Sequence, residues 1–258
     1  MILSNKHLAE VFFTKLKYNL KSEASKTYLG YIWWVLEPCL YIAVLFLVFG
    51  VFRARGGNEF VIFLVCGKIP FLWFSKSVSN SAMSILTGRG LINQVAISKA
   101  FFPLLVVAQD LVKQVFAFVL MFSLLIWFGL SPNFNWLLVT FVMITQLLLT
   151  IACALVAASI TPFLPDFRFI VATGMILLML MSGIFFDYKQ VVLKEHHHLF
   201  LLNPMANLLE NYRQVLMDGN SPDWLALGLI ALTSTFVIYL MLLLYRKLDT
   251  KYAMMLSQ

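Results

Sequence analysis

Long apolar runs dominate this sequence and limit what the chain can fold into. A membrane-spanning helix needs about 20 predominantly apolar residues, and six runs approach or exceed that length, at 33–52, 60–86, 104–130, 136–164, 167–186 and 225–245. Only 12% of the residues are charged, about half the share found in soluble domains. The sequence therefore predicts an all-α integral membrane protein with six transmembrane helices.

The second apolar run is the least regular of the six. Lys68, Pro70 and Lys76 interrupt it. A charged side chain or a proline is tolerated at membrane depth where protein or a water-filled cavity covers it. A helix in this run must therefore be broken, or it must bury these groups against protein.

The residues before the first run predict a helix that lies on the membrane surface. Between residues 1 and 27, Leu8, Phe12 and Leu16 recur at helical spacing, while Thr14 and Lys17 fall on the opposite side. An amphipathic helix with lysines on its polar face is typical of a membrane interface. The simpler alternative is a solubilising tail. The segment lacks the apolar core of a cleavable signal peptide.

Loop charges predict the orientation and the domain organisation. Lys and Arg are more frequent in the segments that become cytoplasmic when both termini are inside, as the positive-inside rule requires. We expect one transmembrane domain over 1–258, with a cytoplasmic amphipathic helix at 1–27, a six-span bundle at 33–245 and a cytoplasmic tail at 246–258.

The last outer connection, 187–224, contains Asn203-Pro204 followed by a helix-favouring stretch. It predicts short re-entrant helices, with an extracellular cap helix as the alternative.

The chain offers few groups for catalysis or metal binding. Gly67-Lys68 is followed by Ile69, so the phosphate-binding pattern of nucleotide-hydrolysing enzymes is absent. The adjacent His196, His197 and His198 do not converge on one ion, and no metal site is expected there. The net charge of +7 is explained by loop topology and gives no reason to expect nucleic-acid binding. We predict a protein without catalytic residues of its own.

Aromatic and charged residues in the spans are the remaining candidates for function. Tyr31, Trp33, Trp34 and Tyr41 crowd the start of the first span. Such rings form an interfacial belt in many membrane proteins; the alternative is that some face a channel and stack against sugar rings. Asp110 and Lys113 are three residues apart, which predicts a salt bridge within one helix.

The string KTYLGYIWWVLEPCLYIAVLFLVFG resembles the opening of the permease subunit of type-2 ABC polysaccharide exporters, which carry O-antigen, capsule and teichoic acid chains. The resemblance rests on a basic interfacial helix followed by Leu29, Gly30, Tyr31, Trp33, Glu37 and Pro38. It continues through LINQVAISKAFFP and LLNPMANLLENYRQVL, and so covers nearly the whole chain.

This resemblance implies an ATP-driven half-transporter in the bacterial cytoplasmic (inner) membrane. ATP and Mg would be bound by a separate ATPase subunit in two copies, and two copies of this chain would form a channel for a lipid-linked polysaccharide. The implied roles are a substrate channel, attraction of the lipid headgroup, ATPase coupling and an outer gate. The residues expected in these roles are, in that order, Tyr31, Trp33, Trp34 and Tyr41; Lys15, Lys17 and Lys26; Leu91, Ile92, Val95 and Lys99; and Asn203, Pro204, Glu210 and Arg213.

Three other functions fit parts of the sequence. An ABC exporter of a drug or lipid would share the same spans, but it would more often have one enclosed pocket. A membrane-embedded glycan or acyl transferase would need paired His, Asp or Glu residues on a cavity wall. A passive channel would transport without any ATPase.

Overall fold

The computed structural model describes residues 5–51, 57–92 and 97–257, and every regular element in these ranges is helical. The α-helices are α1 (Asn5–Ser25), α2 (Trp33–Leu45), α3 (Gly57–Ala82), α4 (Ser84–Thr87), α5 (Arg89–Ile92), α6 (Phe101–Trp127), α7 (Val139–Ile160), α8 (Phe167–Met181), α9 (Tyr188–Val191), α10 (His197–Leu201), α11 (Pro204–Leu216) and α12 (Trp224–Ser257). Short 3₁₀ helices at Gly30–Ile32, Phe134–Leu138 and Lys194–His196 precede α2, α7 and α10, and a π-helix at Phe46–Val51 follows α2. The predicted all-helical class is confirmed for the part of the chain described.

Five helical segments are long and apolar enough to cross a membrane. They are Gly30–Val48, Glu59–Ala82, Phe101–Trp127, Phe134–Ile160 and Trp224–Asp249. The predicted fifth span corresponds to α8, an apolar helix of only 15 residues. At about 1.5 Å per residue, α8 is roughly 22 Å long, shorter than the hydrocarbon core of about 30 Å.

Helix α3 forms the centre of the bundle and accepts hydrogen bonds from side chains of neighbouring helices. It runs unbroken through Pro70 and packs on α6, α7, α8 and α11. Two amide side chains reach it from other helices: Gln114 of α6 donates to the carbonyl of Ile69 at 3.4 Å, and Gln146 of α7 donates to that of Pro70 at 2.7 Å. Of the two possibilities for the second apolar run, the structure shows the unbroken helix, in which Pro70 is buried, Lys68 is half-buried and the Lys76 side chain is 43% exposed.

Helix α12 continues well past its apolar portion and is fixed to α7 by two tyrosines. The Tyr245 hydroxyl donates to the carbonyl of Leu155 at 2.9 Å, and the Tyr252 hydroxyl donates to that of Ser159 at 2.9 Å. Both tyrosines are buried in a small apolar cluster with Ala158 of α7. Most of the segment predicted as a C-terminal tail is thus a continuation of the last helix.

Helix α1 packs beside the bundle. Phe12 contacts the ring of Phe101 at the start of α6, with ring centroids 5.5 Å apart. A tight turn then leads into α2, and Gly30 in this turn has a φ of +51°. That backbone conformation strains any residue with a side chain, which gives a physical reason for glycine in the Leu29-Gly30-Tyr31 segment.

Candidate functional site

Helices α1, α2, α3 and α6 enclose a cavity of about 460 Å³, here named the inner cavity. Trp33, Trp34 and Tyr41 line it, as three of the four predicted channel aromatics. Tyr31 does not line it but packs edge-on against Trp34, with ring centroids 4.9 Å apart. The aromatic run thus forms one wall of a cavity and its outer support.

Charged residues of the inner cavity form two ionic groups. Lys76 of α3 pairs with Glu37 of α2 at 2.5 Å. Lys113 of α6 pairs with Asp110 at 2.8 Å, and also with Glu23 of α1 at 3.1 Å. The predicted Asp110–Lys113 salt bridge is confirmed. The contacts between helices were not predicted, although unpaired charges in two different spans are themselves a signal that such partners exist.

A second cavity of about 580 Å³, the outer cavity, lies between the start of α3, the segment after α8 and the end of α11. It combines aromatic and charged side chains, among them Phe60, Phe63, Phe185, Phe186, Glu59, Asp187, Lys189, Glu210 and Arg213. Two of the four predicted gate residues, Glu210 and Arg213, therefore line a cavity.

The other two gate residues begin α11. The Asn203 side chain accepts a hydrogen bond from the backbone N–H of Met205 at 3.0 Å and donates to the Ser182 hydroxyl at 3.1 Å. Pro204 occupies the first turn, where a missing N–H costs no helical hydrogen bond. Asn203 thus caps α11 and connects it to the end of α8.

Arg213 connects α11 to α3 and to the turn after α8. It is buried, its Nη2 donates to the carbonyl of Gly183 at 2.9 Å, and its guanidinium lies 3.5 Å from the centroid of the Phe63 ring. Burial lowers the pKa of Arg213 to about 10, so the guanidinium remains charged at neutral pH.

Lys189 and Glu210 form an ion pair of 2.6 Å across the outer cavity. The hydrogen bond that the Lys189 ammonium donates to the Glu210 carboxylate raises the pKa of Lys189, and burial partly opposes that effect. The pair joins the segment after α8 to α11.

The predicted headgroup lysines do not enter either cavity. Lys15 and Lys17 are exposed on α1, and Lys26 is exposed in the turn that follows it. Thr27, the next residue, does line the inner cavity. The role of the three lysines in attracting a lipid headgroup stays a prediction.

The predicted coupling residues lie near the start of α6. Ile92 is buried in the cluster that contains Tyr252, and Lys99 is buried and pairs with Asp249 of α12 at 3.0 Å. Leu91 is half-buried, and Val95 lies outside the described residues. Ile92 and Lys99 thus have partners within the chain, and their contact with an ATPase stays a prediction.

Several long apolar helices, with charged and aromatic cavities between them, define a multi-pass membrane transport protein. Its family is shown by the match of residues 10–217 to the ABC-2 type transporter family. The chain belongs to this family, which confirms the resemblance found in the sequence.

Similar proteins include three bacterial transport components. The chain is 29% identical over 222 residues to the O-antigen export system permease protein RfbA of Myxococcus xanthus, covering 86% of this chain and 85% of that protein. It is 20% identical over 236 residues to the protein of the same name from Klebsiella pneumoniae, with 91% and 90% covered. It is 25% identical over 238 residues to the polysialic acid transport protein KpsM of Escherichia coli, with 88% and 89% covered.

Proposed function

We propose that this chain is the transmembrane subunit of an ATP-driven exporter that moves a lipid-linked polysaccharide, of the O-antigen or capsule kind, across the bacterial cytoplasmic membrane. The observation that carries this proposal is the similarity to export permeases over nearly the full length of both partners in each alignment. The relatives are named for two different glycans, O-antigen and polysialic acid. We therefore propose the class of substrate and not one particular polysaccharide.

We further propose six spans, with α8 as a short fifth span and with both termini in the cytoplasm. Helix α1 would lie at the inner membrane interface. Helices α9, α10 and α11 would form the re-entrant part of the last outer loop. The burial of most of α11 against the bundle supports this placement, because an irregular segment is stable at membrane depth only when protein covers it.

The energy for transport would come from a partner. The chain would associate with two copies of an ATP-binding subunit, which would hold ATP and Mg. The segment 91–99 would form the contact with that subunit. Because Lys99 of this segment is joined to α12, a push on the segment would be transmitted to the last span.

The channel would form between two copies of this chain, along α2. The candidate span that contains it, Gly30–Val48, is the least buried of the five. Tyr41 on α2 is 41% exposed, and Tyr31 in the 3₁₀ helix before α2 is 55% exposed. A second copy would enclose this face. Flat aromatic rings provide apolar contacts for sugar rings, the inner cavity would be the entry at the inner leaflet, and α11 would be the outer gate.

The test is to delete the gene and to locate the long-chain glycan. We expect surface polysaccharide to disappear and polymer to accumulate in the cytoplasm. Loss of polymer everywhere would assign the protein to glycan assembly, and an unchanged surface would favour another substrate, such as a drug or lipid.

The aromatic wall has its own test in the complemented deletion strain. We expect the Tyr31→Ala and Trp34→Ala variants to reduce surface glycan at equal protein abundance. Tyr239→Ala is the matched control, because Tyr239 is a comparably exposed ring on α12, away from the cavity. Full export by the Tyr31→Ala variant and by the Trp34→Ala variant would refute the role of the aromatic wall.

A further inference from the structure

Lys68 is a charged residue near the middle of α3, the most buried candidate span. Its Nζ donates to the Met179 sulfur at 2.9 Å and lies 5.8 Å from the Tyr41 ring centroid and 5.9 Å from that of Phe185. These neighbours come from α2, from α8 and from the turn after α8. Lys68 is therefore surrounded by three groups that carry no charge.

The surroundings of Lys68 differ from those of the other charged side chains near it. Lys76 and Lys113 each pair with a carboxylate, whereas no carboxylate of the described ranges lies within salt-bridge distance of Lys68. Aromatic faces attract a cation but do not neutralise it. A cation at membrane depth normally faces an anion or a substrate pathway, and no carboxylate of the described residues neutralises Lys68.

Lys68 lies close to one aromatic residue of each cavity, although it is not itself a lining residue of either cavity. Tyr41, whose ring centroid is 5.8 Å from the Lys68 Nζ, lines the inner cavity, and Phe185, whose ring centroid is 5.9 Å away, lines the outer cavity. This position is here named the junction of the two cavities. A group that moves from one cavity to the other along these aromatic walls would pass the Lys68 ammonium.

A second cation, Arg213, lies beside the residue that precedes Lys68, on a cavity wall that also carries the carboxylates of Asp187 and Glu210. The Arg213 guanidinium packs against Gly67, the residue before Lys68, and its recorded hydrogen bonds go to backbone carbonyls. The Arg213 Nε is buried and has no hydrogen-bond partner in the described part of the chain. Lys68 is the more accessible of the two, since Arg213 is buried.

We infer that Lys68 binds an oxyanion of the transported molecule at the junction of the inner and outer cavities. An ammonium has three donors and acts as a compact point charge that can bind phosphate or carboxylate oxygens. The oxyanion has two possible sources, the diphosphate that links a glycan to its lipid carrier and the carboxylates of acidic sugars. The nature of this ligand rests on the proposed function, whereas the existence of an anion site does not.

The experiment measures anion binding by the full-length protein in nanodiscs of phosphatidylcholine. The probes are farnesyl diphosphate, with farnesol as its uncharged control, and trisialic acid, with maltotriose as its uncharged control. The variants are Lys68→Met, Lys68→Arg and Lys194→Met. The last removes the same formal charge from an exposed position in the outer segment. Thermal unfolding of each preparation verifies that the variants are folded.

We expect the wild-type protein to bind one of the two anionic probes and neither uncharged control. Loss of a hydrogen-bonded charge weakens binding by about 10- to 100-fold, which is the decrease expected for Lys68→Met. Lys68→Arg should remain within about threefold and Lys194→Met within about twofold of the wild type, since each keeps a cation at this site. Binding of farnesyl diphosphate identifies the lipid link as the source, and binding of trisialic acid identifies the sugar.

Two results would overturn the inference: equal binding by the Lys68→Met variant and the wild type, or no binding of either anionic probe by the wild type. The binding assay does not depend on export. Loss of binding in Lys68→Met, together with an unchanged surface glycan in the deletion strain, would retain the anion site and reject the polysaccharide substrate.

Discussion

Lys113 connects α6 to α1 at the inner cavity and neutralises Asp110 of its own helix, and its replacement by methionine tests how the cavity is held together. Methionine keeps the length of the side chain and removes the charge. It leaves Asp110, whose side chain is 7% exposed, without its cation. Only the Asn80 amide, which donates to Asp110 at 3.3 Å, remains to stabilise the carboxylate.

The expected loss of stability in Lys113→Met follows from the burial of Lys113 and Asp110. Removal of one partner from a fully buried ion pair costs about 3–5 kcal/mol. The Lys113 side chain is 23% exposed, and Asn80 compensates in part, so we expect Lys113→Met to lower the free energy of unfolding by about 2–3 kcal/mol. The Glu23 carboxylate is 49% exposed, and Glu23→Gln should therefore cost only about 0–1 kcal/mol.

The assay is reversible unfolding in mixed detergent micelles, with a double variant as the decisive comparison. Asp110→Asn combined with Lys113→Met leaves no unpaired charge in a buried position, since the Glu23 side chain is 49% exposed, and its stability should return to within about 1 kcal/mol of the wild type. If the double variant is as unstable as Lys113→Met alone, the cost does not come from the buried carboxylate. If Glu23→Gln lowers the free energy of unfolding as much as Lys113→Met does, the Lys113–Glu23 contact contributes more to stability than its exposure predicts.

Three further predictions concern other parts of the fold. Gly67→Ala would place a Cβ 2.7 Å from the Arg213 Nη2 and should destabilise the protein by about 1–3 kcal/mol in the same assay. Gly228→Ala, where a Cβ meets no atom within 4 Å, should instead stabilise α12 by up to about 1 kcal/mol. Tyr252→Phe should cost about 1 kcal/mol, because the Ser159 carbonyl loses the donor that bonds it at 2.9 Å; Tyr239→Phe, at an exposed ring, is its control. The Glu210 hydrogen bond raises the pKa of Lys189 above its ordinary 10.5, so the stability from this pair is complete below pH 10.5 and is lost as the pH rises through the raised pKa. The free energy of unfolding of the Lys189→Met variant should not show this loss at alkaline pH. An equal loss in the variant and the wild type would mean that the loss does not come from the Lys189–Glu210 pair.

The sequence was informative where the signal is local. Periodicity and composition predicted the helical class and the Asp110–Lys113 pair, because both depend on residues within a few turns of one another. The contacts that join the helices could not be predicted in this way. Lys68 meets Met179, which is 111 positions away, and no pattern within α3 identifies that partner.

The same limit explains why α3 is an unbroken helix. Local rules disfavour a helix through Pro70, since proline removes one backbone donor and clashes with the preceding turn. Gln114 and Gln146 donate hydrogen bonds to the carbonyls of Ile69 and Pro70, and both side chains come from other helices. These contacts hold the helix around the proline, but they depend on the packed bundle and cannot be obtained from the segment itself.

The distribution of burial and charge indicates which helix can move during transport. Helix α3 is enclosed on several sides, and its displacement would expose buried amides, serines and apolar side chains. Helix α2 is mostly exposed, and the Glu37–Lys76 pair that joins it to α3 is more than 40% exposed on both sides, so the pair contributes only about 0–1 kcal/mol. Separation of α2 from α3 would break this weak ion pair and widen the inner cavity, and it would also withdraw Tyr41 from Lys68. Under the proposed function, one movement would open the entry and expose the cation at the junction of the two cavities.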